Sequence, residues 1–597
     1  MDMILARLAR SWAWVIVLVV AARAAHAETI PLATVAGSGI EVSVDAWAGL
    51  DADDVAGRDV GLVQIVVTIT NNSAVDRLWA IETERSYGTR TATTKPVTRI
   101  AVPAGGTAKA AVFVDPGLPG AYGKTWVPLT VSGYGLTDGG QLFQVTSWNP
   151  SVAGTAVTNA TGKSILPTAL SKGAASQSRQ LGLERFVIPG LAGLDMDRAP
   201  DDWRGWSTFS CLLFVEAEWL AMSAGQRKAL LDWVGLGGTA GLVVDEASAA
   251  RLDAIGLPAA DADGRRRVGA GEIVAVPREG GDAAVERFLG GRSVQPRAEL
   301  LEQYVAAKRP VFWEPGFRKL FDVFGPRLMP VTAILGFLAI FGLVAGPLNV
   351  MLLAGPGRRS RIFWTTPLIS LAATALLLGF MVVRDGFGGA GARRTLGLLM
   401  PGQNEMAVIQ EQYSRTGVLR STSFPIAEPS WMRLLGDRET EASCLEVDGR
   451  VREGDWFRSR SDQAYLLQTV RPSRAAIEWV GGGAGPPAVI SSIEVPLDRL
   501  FLIDDEGRYW TASDLGTGER KPLEPSDAAA YAAWFKTIAA DAGPIRRAAL
   551  DAVRDRRGHA YAESARAGKV AIQTLPSIRW TDDRAAFVGP FTRTSPP

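Results

Sequence analysis

At 597 residues the chain is too long for one hydrophobic core and leaves room for three or four domains. Its 63 Lys and Arg against 62 Asp and Glu give a net charge of +1, without the basic excess that would point to a nucleic-acid partner. Two cysteines, Cys211 and Cys444, argue against a disulfide framework; two histidines, His26 and His559, leave little imidazole chemistry; and a mean hydropathy of +0.10 asks for membrane segments.

Arg7 and Arg10 precede an apolar run from Trp12 to Ala22, and Ala25-His26-Ala27 supplies a small-x-small cleavage site. Residues 1–27 therefore read as a secretory signal peptide, which delivers the downstream chain outward whether or not it is removed. Once removed, it would leave His559 as the one histidine. From 28 to about 150 the chain reads as β structure. Leu62 to Thr70 is rich in β-branched residues and ends at Asn71-Asn72-Ser73. Further strands are expected over Val97 to Val102, Ala108 to Val114 and Trp126 to Ser132, divided by turns such as Pro103-Ala104-Gly105-Gly106 and Pro116-Gly117. This spacing predicts an antiparallel β-sandwich, a module that binds or spaces. Asp51, Asp53 and Asp54 open like a calcium loop, but Val55 at the fifth place and the lack of a closing glutamate break the ligand set.

Between about 160 and 300 the pattern changes to α/β. Phe186 to Pro189 and Ser210 to Val215 read as strands, and Ser223-Ala-Gly-Gln226 is a capping box opening a helix to about Val234. Gly235, Gly237 and Gly238 then lead into the strand Gly241 to Asp245, completing a βαβ unit. The stretch Trp203 to Asp245, with GQRKALLDWVGLGGTAGLVVD at its heart, and the later Val268 to Ala275 resemble the class I glutamine-amidotransferase-like, flavodoxin-related domain of bacterial envelope membrane proteins. The segment TLPSIRW near the C-terminus, with Gly589-Pro590, is similar to the same group. The resemblance implies a flavodoxin-like domain over 160–300. Active amidotransferases carry a cysteine in a G-x-C-x-G elbow with His and Glu partners. Here Cys211 sits between Ser210 and Leu212 with no histidine in the domain, so it is expected to be a buried apolar residue. Gly269-Ala-Gly271 lacks the third glycine and the following helix of a dinucleotide fingerprint. Glu216 and Glu218 come just after a strand's C-terminal end, where α/β sites form, but a solvated loop accounts for them.

No charged residue lies between Arg327 and Arg358, nor between Arg361 and Arg384. Two transmembrane helices are therefore expected, at 329–354 and 363–383, each close to the roughly 20 residues a bilayer demands. The loop 355–362 carries Arg358, Arg359 and Arg361; short basic loops stay cytoplasmic, which puts both large halves outside the inner membrane. Trp313 and Trp364 are candidate interface anchors, Gly346-Pro347 a candidate kink, and Pro367 falls in the first turn of the second span.

The second exported half, 384–597, is expected to be β-rich with helices. Gly386 to Gly391 reads as a juxtamembrane linker. Leu500 to Ile503 and Tyr509-Trp510 form a hairpin signal across Asp504 to Gly507, Gly516 to Leu523 an edge strand, and Ser526 a helix cap. Tyr531, Trp534, Phe535 and Ile538 fall at helical spacing as a core stripe. Pro544 to Arg556 reads as a helix whose Arg546, Arg547, Arg554 and Arg556 make a solvated basic face.

These features predict a multidomain membrane protein without catalytic, cofactor or metal residues, acting as a scaffold or accessory subunit. The lipid bilayer and protein partners in a membrane complex are its expected associates. Components of bacterial export and gliding-type machines offer an analogy. Two other classes stay open: an exported hydrolase of envelope glycans built on a carboxylate pair, and a transporter subunit.

Overall fold

A computed structural model describes residues 196–288, 315–325, 331–435, 443–481 and 487–594 with a few positions omitted, and, of the first 195, segments 30–35, 40–46, 62–83, 93–114, 129–135, 143–146 and short pieces between 157 and 174. The signal peptide expected over residues 1–27, the Asp51 to Asp54 stretch, the strand expected at Phe186 to Pro189 and Trp313 lie outside the described residues. The architecture is multidomain and β-rich, interrupted by one hairpin of long apolar helices.

In the first half, Ile65, Val67 and Ile69 are buried while Val66, Thr68 and Thr70 are half-exposed, the period of two expected of a strand with one face in a core. That strand, Val63–Asn71, pairs antiparallel with Ile40–Ala46 and Thr107–Val114, and Ile30–Val35 completes the sheet. In a second sheet Arg77–Thr83 lies between Thr93–Val102 and Leu129–Gly135, with Phe143–Thr146 outermost, and buries Trp79 and Ile81. This sheet does not stop at the half's own strands. Thr93–Val102 pairs in parallel with Ser443–Val447, which carries Val451–Gly454 and Phe424–Pro425 behind it. Asp448 pins the join: its amide donates to the Val97 carbonyl at 2.8 Å and its carboxylate accepts from the Arg99 amide at 2.8 Å. Residues on either side of the membrane hairpin thus share one seven-stranded sheet.

The middle region is a five-stranded sheet in which Thr168–Leu170, Cys211–Val215, Thr239–Val244 and Gly271–Pro277 run parallel, with Arg266–Val268 antiparallel at the edge. Cys211–Val215 and Thr239–Val244 are buried at every position, which explains their unbroken apolar character. The helix Ala224–Gly235 opens with the expected box: Ser223 Oγ accepts from the Gln226 amide and Gln226 Oε1 from the Ser223 amide at 2.9 Å. Gly237 then turns the chain at φ 107°, and Gly238 lies against the Trp233 ring, leaving no room for a Cβ. Glu216 and Glu218 depart from expectation. They begin a short helix, Glu216–Ala221, rather than a loop.

Beyond the hairpin stands a nine-stranded sheet. The glycine stretch read as a linker instead enters its central strand, Gly389–Met400, antiparallel to Glu405–Thr416 and parallel to Ile578–Pro590. Gly391 is a packing residue there: a Cβ would strike the Trp580 ring. Leu497–Ile503 and Tyr509–Leu515 form the expected hairpin, turning at Gly507 with φ 82°. Arg520–Pro522 lies at the edge of a separate four-stranded sheet. The helix Ala528–Ala540 buries Tyr531, Trp534 and Phe535 against the nine-stranded sheet, with Phe501 5.0 Å from Trp534 between ring centroids. Its cap is Asp527, which accepts from the Ala530 amide at 2.7 Å; Ser526 ends the preceding strand Glu524–Ser526. The arginine-rich helix ends at Val553, and the expectation of a solvated basic face is overturned at two positions. Arg546 is buried on Glu411, and Arg556 is buried with a 2.7 Å bond to the Gly269 carbonyl of the α/β region. A buried guanidinium that crosses to another element works as a tie.

The membrane hairpin comprises Val331–Leu353 and Ile362–Asp385. The first helix is α-helical to Leu343 and π-helical over Val344–Leu353, with Gly346 out of helical geometry, so the Gly346-Pro347 kink is present. Asn349, the buried residue of this helix, donates to Thr366 Oγ1 at 3.0 Å and pins the two helices near the loop. Leu335, Leu371 and Leu376 are each more than 60% exposed, as a protein that meets lipid rather than water requires. Trp364, near the basic loop, is also exposed.

Candidate juxtamembrane site

The apolar run of the second span ends at Val383, and Arg384 and Asp385 close the helix. Gly386, at φ 69°, swings the chain out of the helix and toward the central strand. The crossing is tightly laced. The Gly386 amide donates to the Val382 carbonyl at 2.9 Å, the Val418 amide to Gly386 at 2.9 Å, and the Gly417 amide to Gly388 at 2.7 Å. A Cβ at Gly417 would collide with the Asp385 and Gly386 carbonyls. The first span is tethered to the same place. Phe321 and Phe324, in and just after the helix Pro315–Asp322, pack on Tyr413 with centroids 5.5 and 5.6 Å away. Arg415 then takes the end of that segment, donating to the Phe324 carbonyl at 3.0 Å and the Gly325 carbonyl at 2.7 Å.

Arg415 also forms a fork with Asp462, at 3.0 and 3.2 Å. Partial burial disfavours its charge, but the Asp462 carboxylate outweighs that and lifts the guanidinium above its ordinary value. Asp385 accepts from Arg460 at 2.6 Å, and Arg420 stacks 4.8 Å over the Phe387 ring. Between these groups opens a cleft of about 700 Å³, lined by Arg384, Asp385, Phe387, Arg415, Ser577 and Arg579 among others. Arg579 is exposed and has no ion-pair partner among the described residues. The charged lining is Arg384, Arg415 and Arg579 with Asp385, and Asp462 and Arg460 pair with Arg415 and Asp385.

The residues weighed from sequence do not converge on one another. Cys211 is fully buried at the start of its strand. Glu218 accepts from the Val215 amide at 3.0 Å and Glu216 is ion-paired with Arg251, so each carboxylate is committed locally. His559 is buried in the nine-stranded sheet with Nδ1 2.8 Å from the Arg557 carbonyl; burial, then the Arg556 charge, pushes its pKa down to about 4. Cys444 is buried too, which pushes its thiol up to about 12, far from a reactive thiolate. Asp504 sits at the expected hairpin turn as a structural acceptor, taking bonds from Arg508 and from Trp510 Nε1 at 3.1 Å.

Two features had no reading in the sequence. Lys228 bridges Asp232 at 2.7 Å and Glu405, joining the α/β helix to the strand Glu405–Thr416. Burial, with Glu405 beside it, raises the Asp232 carboxyl to about 8. The spacing of Lys228 and Asp232 by four residues is a visible helix pair, but Glu405 is far away in sequence. The juxtamembrane cleft is likewise assembled from distant residues; only Arg384, at the edge of the apolar run, carried a signal.

No family model matches the chain, and no curated protein matches it. Among solved structures it is similar to a calcium-binding mutant of Bacteroides uniformis β-glucuronidase 2, at 12% identity and TM-score 0.13, over 34% of this chain and 23% of that one. It is also similar to a β-D-mannosidase from Dictyoglomus thermophilum, at 8% identity and TM-score 0.14, over 80% of this chain and 75% of that one. Likeness at this level carries no statement about activity.

Proposed function

We propose that the chain is a non-enzymatic scaffold or accessory subunit of a membrane complex, held in the inner membrane with both large halves on the extracytoplasmic side. The observation that carries this is the join between the parts of the chain before and after the hairpin: Thr93–Val102 and Ser443–Val447 lie in one sheet, and Arg556 and Lys228 tie the α/β region to the nine-stranded sheet that follows the hairpin in sequence. A single extramembrane body fixed at both ends of a two-helix anchor suits a part that holds others in place. Support for the orientation comes from Arg358, Arg359 and Arg361, exposed in a loop too short to need export. The signal-like residues 1–27 support an exported start. The α/β region is read as a degenerate, flavodoxin-like amidotransferase relative whose Cys211 serves packing.

Crosslinking in intact cells, then purification in mild detergent, should recover discrete protein partners. A solitary monomer under all conditions would refute the reading. Reporter enzymes fused at either terminus should be active outside the cytosol alone, and cytosolic activity at either end would refute the orientation.

A further inference from the structure

We infer that the bend of the membrane hairpin is a binding surface for anionic phospholipid headgroups, with Arg358, Arg359 and Arg361 as the groups that hold the phosphate. The chain leaves these three charges uncompensated. All three side chains are exposed, and none has an ion-pair partner among the described residues. No Asp or Glu lies between Asp322 and Asp385 in the sequence. Asp385 closes the far end of the 24-residue helix Ile362–Asp385, about 36 Å away at 1.5 Å per residue. Both ends of that helix meet salt water, where exposed charges are screened beyond about 8 Å, so this carboxylate is out of reach. The arginines are met by something outside the chain.

Position decides what meets them. The first span ends at Leu353, and the apolar run of the second starts at Phe363. The three guanidinium groups therefore leave the backbone at the edge of the hydrocarbon, where lipid phosphates lie. Phe363 and Trp364, each more than 80% exposed, put aromatic rings at the same level. The bend is also too compact to project. The Arg358 amide donates to the Gly355 carbonyl at 2.9 Å and the Arg361 amide to the Arg358 carbonyl at 3.0 Å, two turns in succession. A soluble acidic partner would have to enter the headgroup layer to reach these side chains, whereas phospholipid phosphates are already there, and planar guanidinium forks suit them. The inference rests on the hairpin's being a membrane anchor. It holds for either side of the membrane and for any protein partner, so its failure would leave the scaffold role and the orientation untouched.

The test uses the full chain in detergent, which meets both ends of the hairpin alike. Native mass spectrometry with chain-matched phosphatidylglycerol and phosphatidylcholine should show about tenfold preferential retention of the anionic lipid. The triple substitution Arg358→Gln, Arg359→Gln and Arg361→Gln should remove most of that preference, and the three lysine replacements at the same positions should keep most of it. An equal preference in the unaltered and glutamine forms would overturn the inference. So would full displacement of the lipid by millimolar inorganic phosphate, which would assign the bend to free anions. In native membranes, a benzophenone-bearing phenylalanine placed at the exposed Ser360 should crosslink to phospholipid with all three arginines in place. A protein as its principal adduct would overturn the inference in favour of an acidic partner.

Discussion

Arg546 and Glu411 form an ion pair in which both side chains are at most 3% exposed, tying the helix Pro544–Val553 to the strand Glu405–Thr416. Replacing Arg546 by Met leaves the Glu411 carboxylate inside the protein with the Gly543 amide, 3.0 Å away, as its remaining donor. Losing one member of such a pair costs about 3–5 kcal/mol, because the abandoned charge has no water to return to. Glu411→Gln strands Arg546 in the same way, although its 2.9 Å bond from Nε would pass to a neutral oxygen. In the double variant the glutamine oxygen still accepts from Gly543 and no charge is buried, so stability should return to within about 2 kcal/mol of the native chain. Hydrogen exchange of the helix Pro544–Val553, read by mass spectrometry in detergent, measures the local opening. Each single change should cost roughly two to four decades of protection at about 1.4 kcal/mol per decade. If the two single effects simply add in the double variant, the pair is not coupled and the reasoning fails.

His559 should make stability acid-sensitive. Its folded pKa of about 4 lies below the ordinary 6.5, so its contribution is complete above pH 6.5 and is lost as pH falls toward 4, about 3 kcal/mol in all. Because Asp232 contributes the opposite slope over this range, the measure is the difference in thermal stability between the native chain and His559→Gln, whose pH-dependent part should fall by that amount as pH drops from 7 to 4. Asp232 should act in the opposite direction: with its carboxyl raised to about 8, the contribution is complete below pH 3.8 and disappears as pH climbs through 8. Chemical denaturation across pH 6–9 should lose stability in the native chain and much less in Asp232→Asn. The shared sheet makes a covalent prediction. Val97 and Val447 are register partners, so Val97→Cys with Val447→Cys should form a disulfide. After cleavage at a protease site inserted beside Gly357, the two fragments should then run as one species on a denaturing gel without reductant and as two with it.

Much of the local structure was legible because it is written within short windows. Ser223 and Gln226 sit three apart and cap a helix; Tyr531, Trp534 and Phe535 repeat at helical spacing and are buried; the uncharged stretches before Arg358 and before Arg384 form the hairpin. What escaped depends on contacts between distant residues. Gly389 and Gly391 look like a linker because glycine loosens an isolated chain. In the fold, Trp580 arrives from far downstream and needs the space. Arg546 and Arg556 look like solvent-facing charges until Glu411 and the Gly269 carbonyl are set beside them. Ser526 and Asp527 are both good caps, and strand pairing of Ser526 with Tyr509 decides between them. For the cleft, Arg415 and Arg579 are unremarkable in sequence, and only the pairing of distant strands brings them beside Arg384.

The seven-stranded sheet carries a consequence for biosynthesis. Its strand ending at Val102 must wait for a neighbour that starts at Ser443, 341 positions later. At the pace of translation, about 5–20 residues per second, the wait is roughly 20–70 s. During that interval the unpaired backbone edge of Thr93–Val102 is a template for any passing strand. A chain stopped after residue 435 should therefore aggregate or be retained by a holding chaperone, whereas one extended past Pro590, which also supplies the neighbours of Gly389–Met400 and Glu405–Thr416, should be released, so the membrane hairpin has to be threaded while half of the body is still incomplete.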